Sequence, residues 1–340
     1  MPDRPLPPGK LPPDLLARFL RDYAHRDPRL IVPATPGEDA AVIDFGGRCL
    51  VAKTDPVTFA TDAIGYYAVH INANDIAAMG AQPRFFLATV LLPAGDATAA
   101  AAEAIFRSLR QAADSLGVLL CGGHTEVTDA VRQPVVVGQM LGEAAPRELV
   151  RSSGLRPGDA LILTKGLAIE ATAIIAREKR AALLDRGLPA ELLDRGARFL
   201  YDPGISVVRD ARVATAAGRV RAMHDPTEGG VATGLAEMAA ASAVGLRIQG
   251  QALVLAQETQ RLCAAYGLDP LGAISSGALL IGCAAADAGA IVAALKSAGI
   301  TATCIGHACS PDHGLQLCWD DQSVEMPRFT ADELTRLPPD

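Results

Sequence analysis

The sequence predicts an α+β fold divided into two domains. Half of the 340 residues are hydrophobic but only 4% are aromatic, which is typical of closely packed helices and strands. Both halves of the chain mix segments of helical periodicity with short β-type runs. Turn-forming residues cluster over 152–159, and this cluster is the predicted boundary between the two domains.

The first half predicts a mostly antiparallel or mixed sheet with two helices on one face. Gly46-Gly47 between two β-type runs indicates a hairpin. The predicted helices cover 13–22, 62–79 and 97–115. The predicted strands cover 40–45, 48–54, 84–92, 118–120 and 134–142.

The second half continues with alternating strands and helices. The predicted strands cover 160–164, 220–223, 301–305 and 315–319. The predicted helices cover 169–177 and 226–243, and another begins at Asp202-Pro203-Gly204. The predicted organisation is therefore an N-terminal helix and loop (1–36), a first domain (37–150), a second domain (151–325) and a polar, Pro-rich tail (326–340) that either wraps the domain or is loose.

Composition excludes several classes of function. The net charge of −7 comes without a basic patch to offset it, so we expect no nucleic-acid partner. No apolar run of 18 residues is present, and the first residues lack the apolar core of a signal peptide. The seven cysteines are odd in number and form no CxxC pair, which predicts reduced thiols and a cytoplasmic protein.

Five possible zinc ligands lie close together near the end of the second domain. They are Cys304, His307, Cys309, His313 and Cys318. Structural zinc sites normally use two tight pairs of ligands. Because these residues fall on two predicted strands and their turn, their side chains are not expected to converge on one ion.

The most informative position is Asp75, in the stretch Asn72–Pro83. Apolar residues recur at helical spacing from Ile64 to Met79 and form one stripe, with Asp75 in its middle. A carboxylate in such a place must be paired, protonated or bound to a cation, because burying it alone costs several kcal/mol.

Other acidic residues lie beside glycines or at the ends of elements. Asp39 precedes a strand and Asp55 ends the next one, although either residue alone fits an ordinary turn. Gly122-Gly123 is predicted to form a turn after a strand, and His124 alone fits a hydrogen-bonded loop histidine. Asp225 with Glu228 fits a helix capping box, but two glycines in the first helical turn cost about 1 kcal/mol each relative to alanine.

Taken together, these segments predict a site for phosphate and Mg2+. Hard divalent cations prefer carboxylate oxygens, and these can bridge the metal to the phosphates of a nucleotide. Glycine turns and helix N-termini supply N–H donors to the same phosphates. The sequence contains no P-loop, dinucleotide-binding or kinase signature.

The ordered motifs resemble the AIR synthase-like superfamily, which includes selenophosphate synthetase, thiamine-monophosphate kinase, formylglycinamidine synthase and the HypE carbamoyl dehydratases. The motifs that carry the resemblance are Gly37–Val42, Thr54-Asp55, Asn74–Ala81, Gly122–Thr125 and Asp225–Gly230. The resemblance implies a two-domain PurM-like fold, in which the N-terminal domain forms a dimeric β-barrel with its copy and the C-terminal domain is α+β.

The resemblance also implies ATP and Mg2+ as cofactors. The implied metal ligands are Asp39, Asp55, Asp75 and Asp225. The implied cofactor-binding residues are Thr54, Asn72, Gly122, Gly123, Thr125, Thr227, Gly229 and Gly230. His124 and Glu126 occupy the place of general acid–base or substrate contacts, so they are the predicted catalytic residues.

The resemblance is nearest to HypE, with departures. Glu126, Glu228 and Ser276 stand where HypE proteins have lysine, arginine and glutamate, respectively. The sequence ends in Leu334–Asp340 without the C-terminal cysteine of HypE. Carbamoyl dehydration on its own C-terminus is therefore not expected. Selenide chemistry is not expected either, because no cysteine precedes Cys49.

The function predicted from these observations is a homodimeric ATP- and Mg2+-dependent synthase or phosphotransferase that acts on a small-molecule acceptor. A different class of function remains open, that of an ATP-binding protein without turnover in a maturation complex. Thiamine-monophosphate kinase activity is the third alternative.

Overall fold

The structure, a computed structural model, describes residues 11, 13–23, 27–35, 37–58, 62–320 and 322–338. The chain forms two compact units. The N-terminal unit consists of Asp27–Pro33 and Asp39–Leu149, and the C-terminal unit consists of Met1–Arg26, Ala34–Glu38 and Val150–Asp340. Helix α1 (Pro13–Tyr23) belongs to the C-terminal unit.

The N-terminal unit is a mixed six-stranded sheet with two helices, as predicted. Its elements are β1 (Leu30–Val32), β2 (Ala41–Asp44), β3 (Cys49–Val57), α2 (Ile64–Ala78), β4 (Gln82–Pro93), α3 (Ala99–Leu116), β5 (Leu119–Thr128) and β6 (Val135–Ala144). The strand order is β1-β2-β3-β6-β4-β5. Among the described strands of this sheet, only β4 and β5 are parallel neighbours, and β5 lies at one edge because it is the last strand in the order.

Helix α2 packs closely against the sheet because β6 has glycines where the helix crosses it. A Cβ atom at Gly138 would lie 2.3 Å from Asn72 Nδ2, and one at Gly142 would lie 2.2 Å from Ile76 Cγ2. Helix α3 contacts α2 as well, at Gly65. The sequence predicted one buried stripe, but α2 is buried on nearly all sides because the sheet and α3 both cover it.

The glycine pair Gly122-Gly123 lies inside β5, so the predicted turn after residue 120 is wrong. The register of β5 against β4 shifts just before Gly122. Gly123 has a φ of 148°, and a Cβ atom there would lie 1.8 Å from the Ala88 carbonyl oxygen of β4. The glycines therefore permit a bulge and a close approach of two backbones rather than a change of chain direction.

The C-terminal unit contains a seven-stranded sheet with the order β13-β12-β9-β11-β7-β10-β8, in which only β9 and β12 are parallel neighbours. Its strands are β7 (Ala160–Thr164), β8 (Val220–His224), β9 (Gly245–Gln249), β10 (Leu280–Cys283), β11 (Ala302–Cys309), β12 (Leu315–Trp319) and β13 (Gln322–Glu325). Its remaining helices are α4 (Ile169–Glu178), α5 (Arg180–Asp185), α6 (Ala190–Arg198), α7 (Val208–Ala217), α8 (Gly230–Ser242), α9 (Gln257–Tyr266) and α10 (Ala288–Ser297).

Helix α8 forms much of the core of this unit. Leu235 and Met238 of α8 pack with Leu161 and Leu163 of β7 and with Leu246 of β9. Every residue of β7 is buried. This explains why its sequence is continuously apolar rather than alternating, since both faces of the strand are covered.

Two predicted helix starts differ from the structure. Helix α8 begins at Gly230 rather than at 226, so the Asp225-Pro226 motif precedes the helix. Leu200–Gly204 forms a π-helical turn, and the next α-helix begins only at Val208. Left-handed backbone at Gly229, with a φ of 79°, ends the loop before α8 and explains the later start.

Residues 326–338, which we call the strap, are packed against the C-terminal unit. Met326 and Leu334 are buried. Phe329 fills the space beside Gly272, where a Cβ atom would lie 2.3 Å from its ring. Of the two alternatives that the sequence left for this segment, the structure shows the packed one.

The sequence predicted no membrane-spanning segment and reduced cysteines. None of the helices that the structure describes combines the length and hydropathy of a membrane span. All seven cysteines are thiols, as their odd number and spacing predicted.

We predict that Gly138→Ala destabilises the fold, because α2 must move away from β6 to admit the new methyl group. Overpacking of this kind typically costs about 2 kcal/mol. Urea unfolding measures the loss. The control is Gly289→Ala on the exposed face of α10, where nothing lies near the new Cβ atom and a gain of up to about 1 kcal/mol is expected. Equal stability of Gly138→Ala and the unmodified protein would contradict the close packing of α2.

Candidate functional site

Strand β3 has charged side chains on the same face as its buried valines. Val51 and Val57 are buried, and Lys53 and Asp55 lie at alternate positions between them, on the same face. Lys53 Nζ lies 2.9 Å from Asp75 Oδ1 of α2 and 3.2 Å from Asp55 Oδ2. The carboxylate that the sequence singled out is therefore paired with a lysine of the neighbouring strand.

Three carboxylates of the N-terminal unit act on one lysine in this cluster. Burial acts to lower the pKa of Lys53, but Asp75 and Asp55, with a further contribution from Asp39, raise it well above its usual value. Lys53 is therefore a permanent cation. One positive charge against three carboxylates leaves a formal charge of −2 if all three are ionised, and a divalent cation would compensate that surplus.

Asn72 and Thr54, two residues predicted to bind the cofactor, hold the backbone in place. The Asn72 side chain accepts a hydrogen bond from the Asp55 N–H at 2.9 Å and donates to the carbonyl oxygens of Ala68 at 2.9 Å and of Asp55 at 3.3 Å. Thr54 Oγ1 donates to the Gly138 carbonyl at 2.8 Å. The bonds between Asn72 and Asp55 fix α2 against β3, and the Thr54 bond joins β3 to β6. Together they determine where the Asp75 carboxylate lies.

The predicted catalytic pair lies on the edge strand β5. His124 Nε2 is 3.0 Å from Glu126 Oε2, and both side chains are exposed. Thr125 between them is exposed as well. Positions i and i+2 of a strand share a face, which explains the contact. The structure thus brings His124 and Glu126 together at a surface of the N-terminal unit.

The loop before α8 contains Asp225, Thr227 and Gly229, and Gly230 is the first residue of the helix. The sequence assigned these four residues to metal and cofactor. Asp225 is buried in the loop between β8 and α8. It does not cap the helix: the N-cap is Gly229, and the Gly229 N–H donates to Asp332 Oδ2 at 2.8 Å. The capping-box alternative is therefore wrong. One N–H donor that was predicted to hold phosphate is bonded to a carboxylate of the strap.

Glu170, in the first turn of α4, is a second buried carboxyl that the sequence analysis did not single out. Burial raises its pKa to about 8, the Ser276 hydroxyl opposes this in part, and Glu228, Asp332 and Asp225 raise it further. Glu170 is therefore mostly protonated at neutral pH. The resemblance aligns Ser276 with a glutamate of HypE, so this chain has a carboxyl beside that position on a different element.

Lys165 fixes the loop that contains Ser276. Its Nζ donates to the carbonyl oxygens of Ser206 at 2.6 Å and Gly277 at 2.9 Å, and it lies 3.2 Å from Asp210 Oδ1. Burial lowers the pKa of Lys165, and Asp210 opposes that shift. With two carbonyl oxygens and one carboxylate around the ammonium group, its role in this structure is to hold the loop.

The possible zinc ligands do not converge. Within the described part of the chain, no group with metal-ligand distances includes Cys304, His307, Cys309, His313 or Cys318. His307 and Cys309 belong to β11 rather than to a turn, and Cys318 is on β12.

The sequence did not predict Lys53, Glu170 and Asp332 as site residues, and the three differ in how strong a signal the sequence gives for them. Lys53 interrupts the apolar alternation of β3, which is a usable signal. Glu170 lies among apolar and small residues at a helix start, where an acidic residue is common and needs no further explanation. Asp332 lies 103 positions from its partner Gly229 and gives no local signal.

Comparison with known proteins establishes the family. A model described as the N-terminal domain of AIR synthase related protein matches residues 37–144, and the model of the C-terminal domain matches residues 156–316. The chain belongs to the AIR synthase related family.

Curated relatives span most of the chain. Carbamoyl dehydratase HypE of Rhizobium leguminosarum bv. viciae is 31% identical over 288 residues, covering 82% of this chain and 78% of the relative. Selenide, water dikinase of Rhizobium meliloti (strain 1021) is 28% identical over 323 residues, covering 85% and 88%. The similarity to HypE meets the expectation drawn from the motifs.

Solved structures show the same two-domain PurM-like fold. The HypE–HypF complex matches with a TM-score of 0.75 and 20% identity, covering 92% of this chain and 99% of the matched chain. Hydrogenase maturation protein HypE in complex with ATP matches with a TM-score of 0.72 and 24% identity, covering 94% and 93%. AaThiL complexed with AMPPCP and TMP matches with a TM-score of 0.70 and 19% identity, covering 94% of both chains.

We predict that Lys53→Met destabilises the protein by about 3 kcal/mol, because it leaves two neighbouring carboxylates without their cation. Urea unfolding measures the change, and Lys296→Met, at an exposed position of α10, is the matched control. Added Mg2+ is expected to restore more stability to Lys53→Met than to the unmodified protein. A loss below about 0.5 kcal/mol, the range of ordinary surface substitutions, would contradict the structural importance of the pair.

We predict that Glu170 makes stability fall as pH rises. Its folded pKa of about 8 exceeds the usual glutamate pKa of 4.5, so the folded state keeps a proton that the unfolded state releases between these two pH values. The slope is at most about 1.4 kcal/mol per pH unit. Glu170→Gln is expected to remove this slope above pH 6, where Asp332, with its own pKa of about 6, contributes little.

Urea unfolding at pH 6, 7 and 8 measures this slope. Glu191→Gln, at an exposed position of α6, is the control and should keep the slope of the unmodified protein. An unchanged slope in Glu170→Gln would show that Glu170 is ionised in the folded state.

Proposed function

We propose that this chain binds ATP with Mg2+ and is a HypE-like synthase or phosphotransferase acting on a small-molecule acceptor. The observation that carries the proposal is the surplus of carboxylates around Lys53. A structural ion pair needs one carboxylate, whereas this cluster has Asp39, Asp55 and Asp75. Family membership and the likeness to a HypE structure determined with ATP support the same reading.

The donor set fits Mg2+, which prefers carboxylate oxygens and usually also binds phosphate oxygens. Asp39, Asp55 and Asp75 would hold the ion, and the metal-ligand role of Asp225, in the C-terminal unit, stays a prediction from the sequence. Lys53, which the sequence analysis did not assign, would contribute a fixed positive charge for phosphate. When bound, ATP would supply its γ-phosphoryl group to an oxygen of the acceptor, with cleavage of the bond to the β-phosphate and release of ADP. His124 and Glu126, paired at 3.0 Å, would exchange a proton through the histidine ring.

The exposed edge strand supports the proposed homodimer. Leu119 and Val127 of β5 are 63% and 60% exposed, and the parallel partner β4 covers only one side of the strand. Unpaired strand edges with exposed apolar side chains favour pairing with another chain.

We also propose a cytoplasmic location, because the cysteines are odd in number and form no CxxC pair.

The second candidate is an ATP-binding maturation partner without turnover. It is supported by two acidic residues, Glu126 and Glu228, at positions where the resemblance implies basic ones. The solved HypE–HypF complex contains a protein of this fold together with a second protein. The likeness to AaThiL keeps phosphate transfer to thiamine monophosphate as the third candidate.

We predict that Asp55→Asn weakens Mg-ATP binding at least about tenfold, because a charged ligand bond is worth about 1.5 kcal/mol or more. Asp55 is chosen because its side chain is 33% exposed, so its loss perturbs the fold less than that of Asp75, at 5%. Isothermal titration measures affinity, with the exposed Asp96→Asn as control. Unchanged affinity in Asp55→Asn would contradict the metal site.

A measurement of ATP turnover distinguishes the proposed enzyme from the maturation partner without turnover. The unmodified protein is incubated with Mg-ATP and, in turn, thiamine monophosphate or carbamoylated peptides, and ADP, AMP and phosphate are measured. Product with one acceptor identifies the reaction. Binding without product in every incubation favours the maturation partner.

A further inference from the structure

The ammonium group of Lys53 contacts two of the carboxylates that are proposed to hold Mg2+. Its Nζ lies 2.9 Å from Asp75 Oδ1 and 3.2 Å from Asp55 Oδ2. All three residues belong to the N-terminal unit. Ammonium groups and divalent cations both bind carboxylate oxygens. Lys53 therefore takes up one oxygen of each of two proposed metal ligands.

Carboxylates alone anchor this ammonium group. Among the described residues, Lys53 Nζ contacts Asp55 and Asp75 and makes no bond to a backbone carbonyl. Lys165 differs, because its Nζ donates to two backbone carbonyl oxygens in addition to its contact with a carboxylate. A metal ion that takes the carboxylates would therefore remove the whole anchorage of Lys53, whereas Lys165 has bonds that no such ion would replace.

The Lys53 side chain also has a route to solvent. It is 23% exposed, whereas the side chain of Lys165 is 5% exposed. The ammonium group of a lysine is carried on a flexible four-carbon stem. Rotation of this stem moves the charge without moving the backbone of β3. Two cations at one pair of carboxylates repel each other, and this repulsion favours such a movement.

We propose that Lys53 occupies the carboxylate oxygens of the metal-free site and that Mg2+ displaces it toward solvent. The inference rests on the proposed function, which assigns Asp55 and Asp75 to Mg2+. At equal distance, the attraction of a divalent cation to these carboxylates is twice that of an ammonium group. A monovalent cation has only the charge of Lys53 and lacks the high local concentration that the chain gives to the lysine. Lys53 thus makes the site selective for divalent cations.

The mobility of Lys53 in the unmodified protein tests the displacement. The sequence has five lysines, so 13C labelling of lysine gives few NMR signals, and Lys53→Arg identifies the signal of Lys53 by its loss. When Mg2+ alone is added, the order parameter of the Lys53 ε-methylene group is expected to fall toward that of the exposed Lys296. The order parameter of Lys165 should not change.

The affinity for Mg2+, measured by isothermal titration, tests the competition. Lys53→Ala is expected to bind Mg2+ at least about tenfold tighter, which corresponds to a lysine docked in about nine-tenths of the unmodified molecules. Lys296→Ala, at an exposed position of α10, is the control and should bind Mg2+ as the unmodified protein does.

An added ammonium ion should replace the missing side chain in Lys53→Ala. Methylammonium chloride is expected to raise the apparent Kd of Mg2+ in this variant in proportion to its concentration. It should affect the unmodified protein no more than tetramethylammonium chloride does, which has no N–H donor and controls for ionic strength.

The outcomes separate the displacement of Lys53 from the proposed function. A Lys53 signal that keeps its order parameter while Mg2+ binds overturns the displacement and leaves the proposed function standing, as does equal Mg2+ affinity in Lys53→Ala and the unmodified protein. Competition by methylammonium that reaches a plateau overturns it too, because the two cations would then bind together.

Two further outcomes are decided by the unmodified protein. If it does not bind Mg2+ alone, the displacement is overturned, and titration with Mg-ATP still decides the proposed function separately. If Lys53→Ala does not fold, the NMR measurement still decides, because a rise in the mobility of Lys53 on addition of Mg2+ supports the displacement and an unchanged mobility overturns it.

Discussion

The contact of Lys53 with Asp55 and Asp75 is the interaction on which the N-terminal unit depends. It joins β3 to a helix that is buried on nearly all sides, where unbalanced charge is costly. The contact requires α2 to lie very close to the sheet, which Gly138 and Gly142 allow. The glycines of β6, the short-range bonds of Asn72 and the charged cluster are therefore parts of one packing arrangement.

Local patterns predicted the regular elements because their periodicity does not depend on distant residues. The Gly46-Gly47 hairpin, α3 and β7 lie within a few residues of their predicted bounds. The turn predicted at Gly122-Gly123 is wrong for a definite reason. Double glycine permits a turn and a close backbone approach equally well, and only the Ala88 carbonyl of β4, 35 positions away in sequence, decides between them.

The sequence predicted those site residues that a local motif or a misplaced charge makes visible. It did not predict the residues that enter the site only through tertiary contacts. Asp75 was recognisable because a carboxylate on an apolar stripe must have a partner, but the identity of that partner depends on how α2 lies against β3. Glu170 and Asp332 were not recognisable, because each acquires its raised pKa from burial and from carboxylates of other segments. Carboxyls with shifted pKa values that lie in one region are typical of functional sites. The carboxyls around the start of α8 therefore indicate a functional site as strongly as the Asp225-Pro226 motif before it.

Buried carboxyls near the start of α8 are accommodated in two different ways. Burial and the surrounding carboxylates raise the pKa of Glu170 to about 8, so this carboxyl keeps its proton at neutral pH. Burial also raises the pKa of Asp332, but the N–H groups of Leu334 and Gly229 donate to it and oppose the rise, so the pKa reaches only about 6. N–H donors stabilise the charged form of a carboxyl, and a protonated carboxyl costs less to bury than an ionised one. The same region therefore contains one carboxyl that is mostly protonated near neutral pH and one that is mostly ionised there.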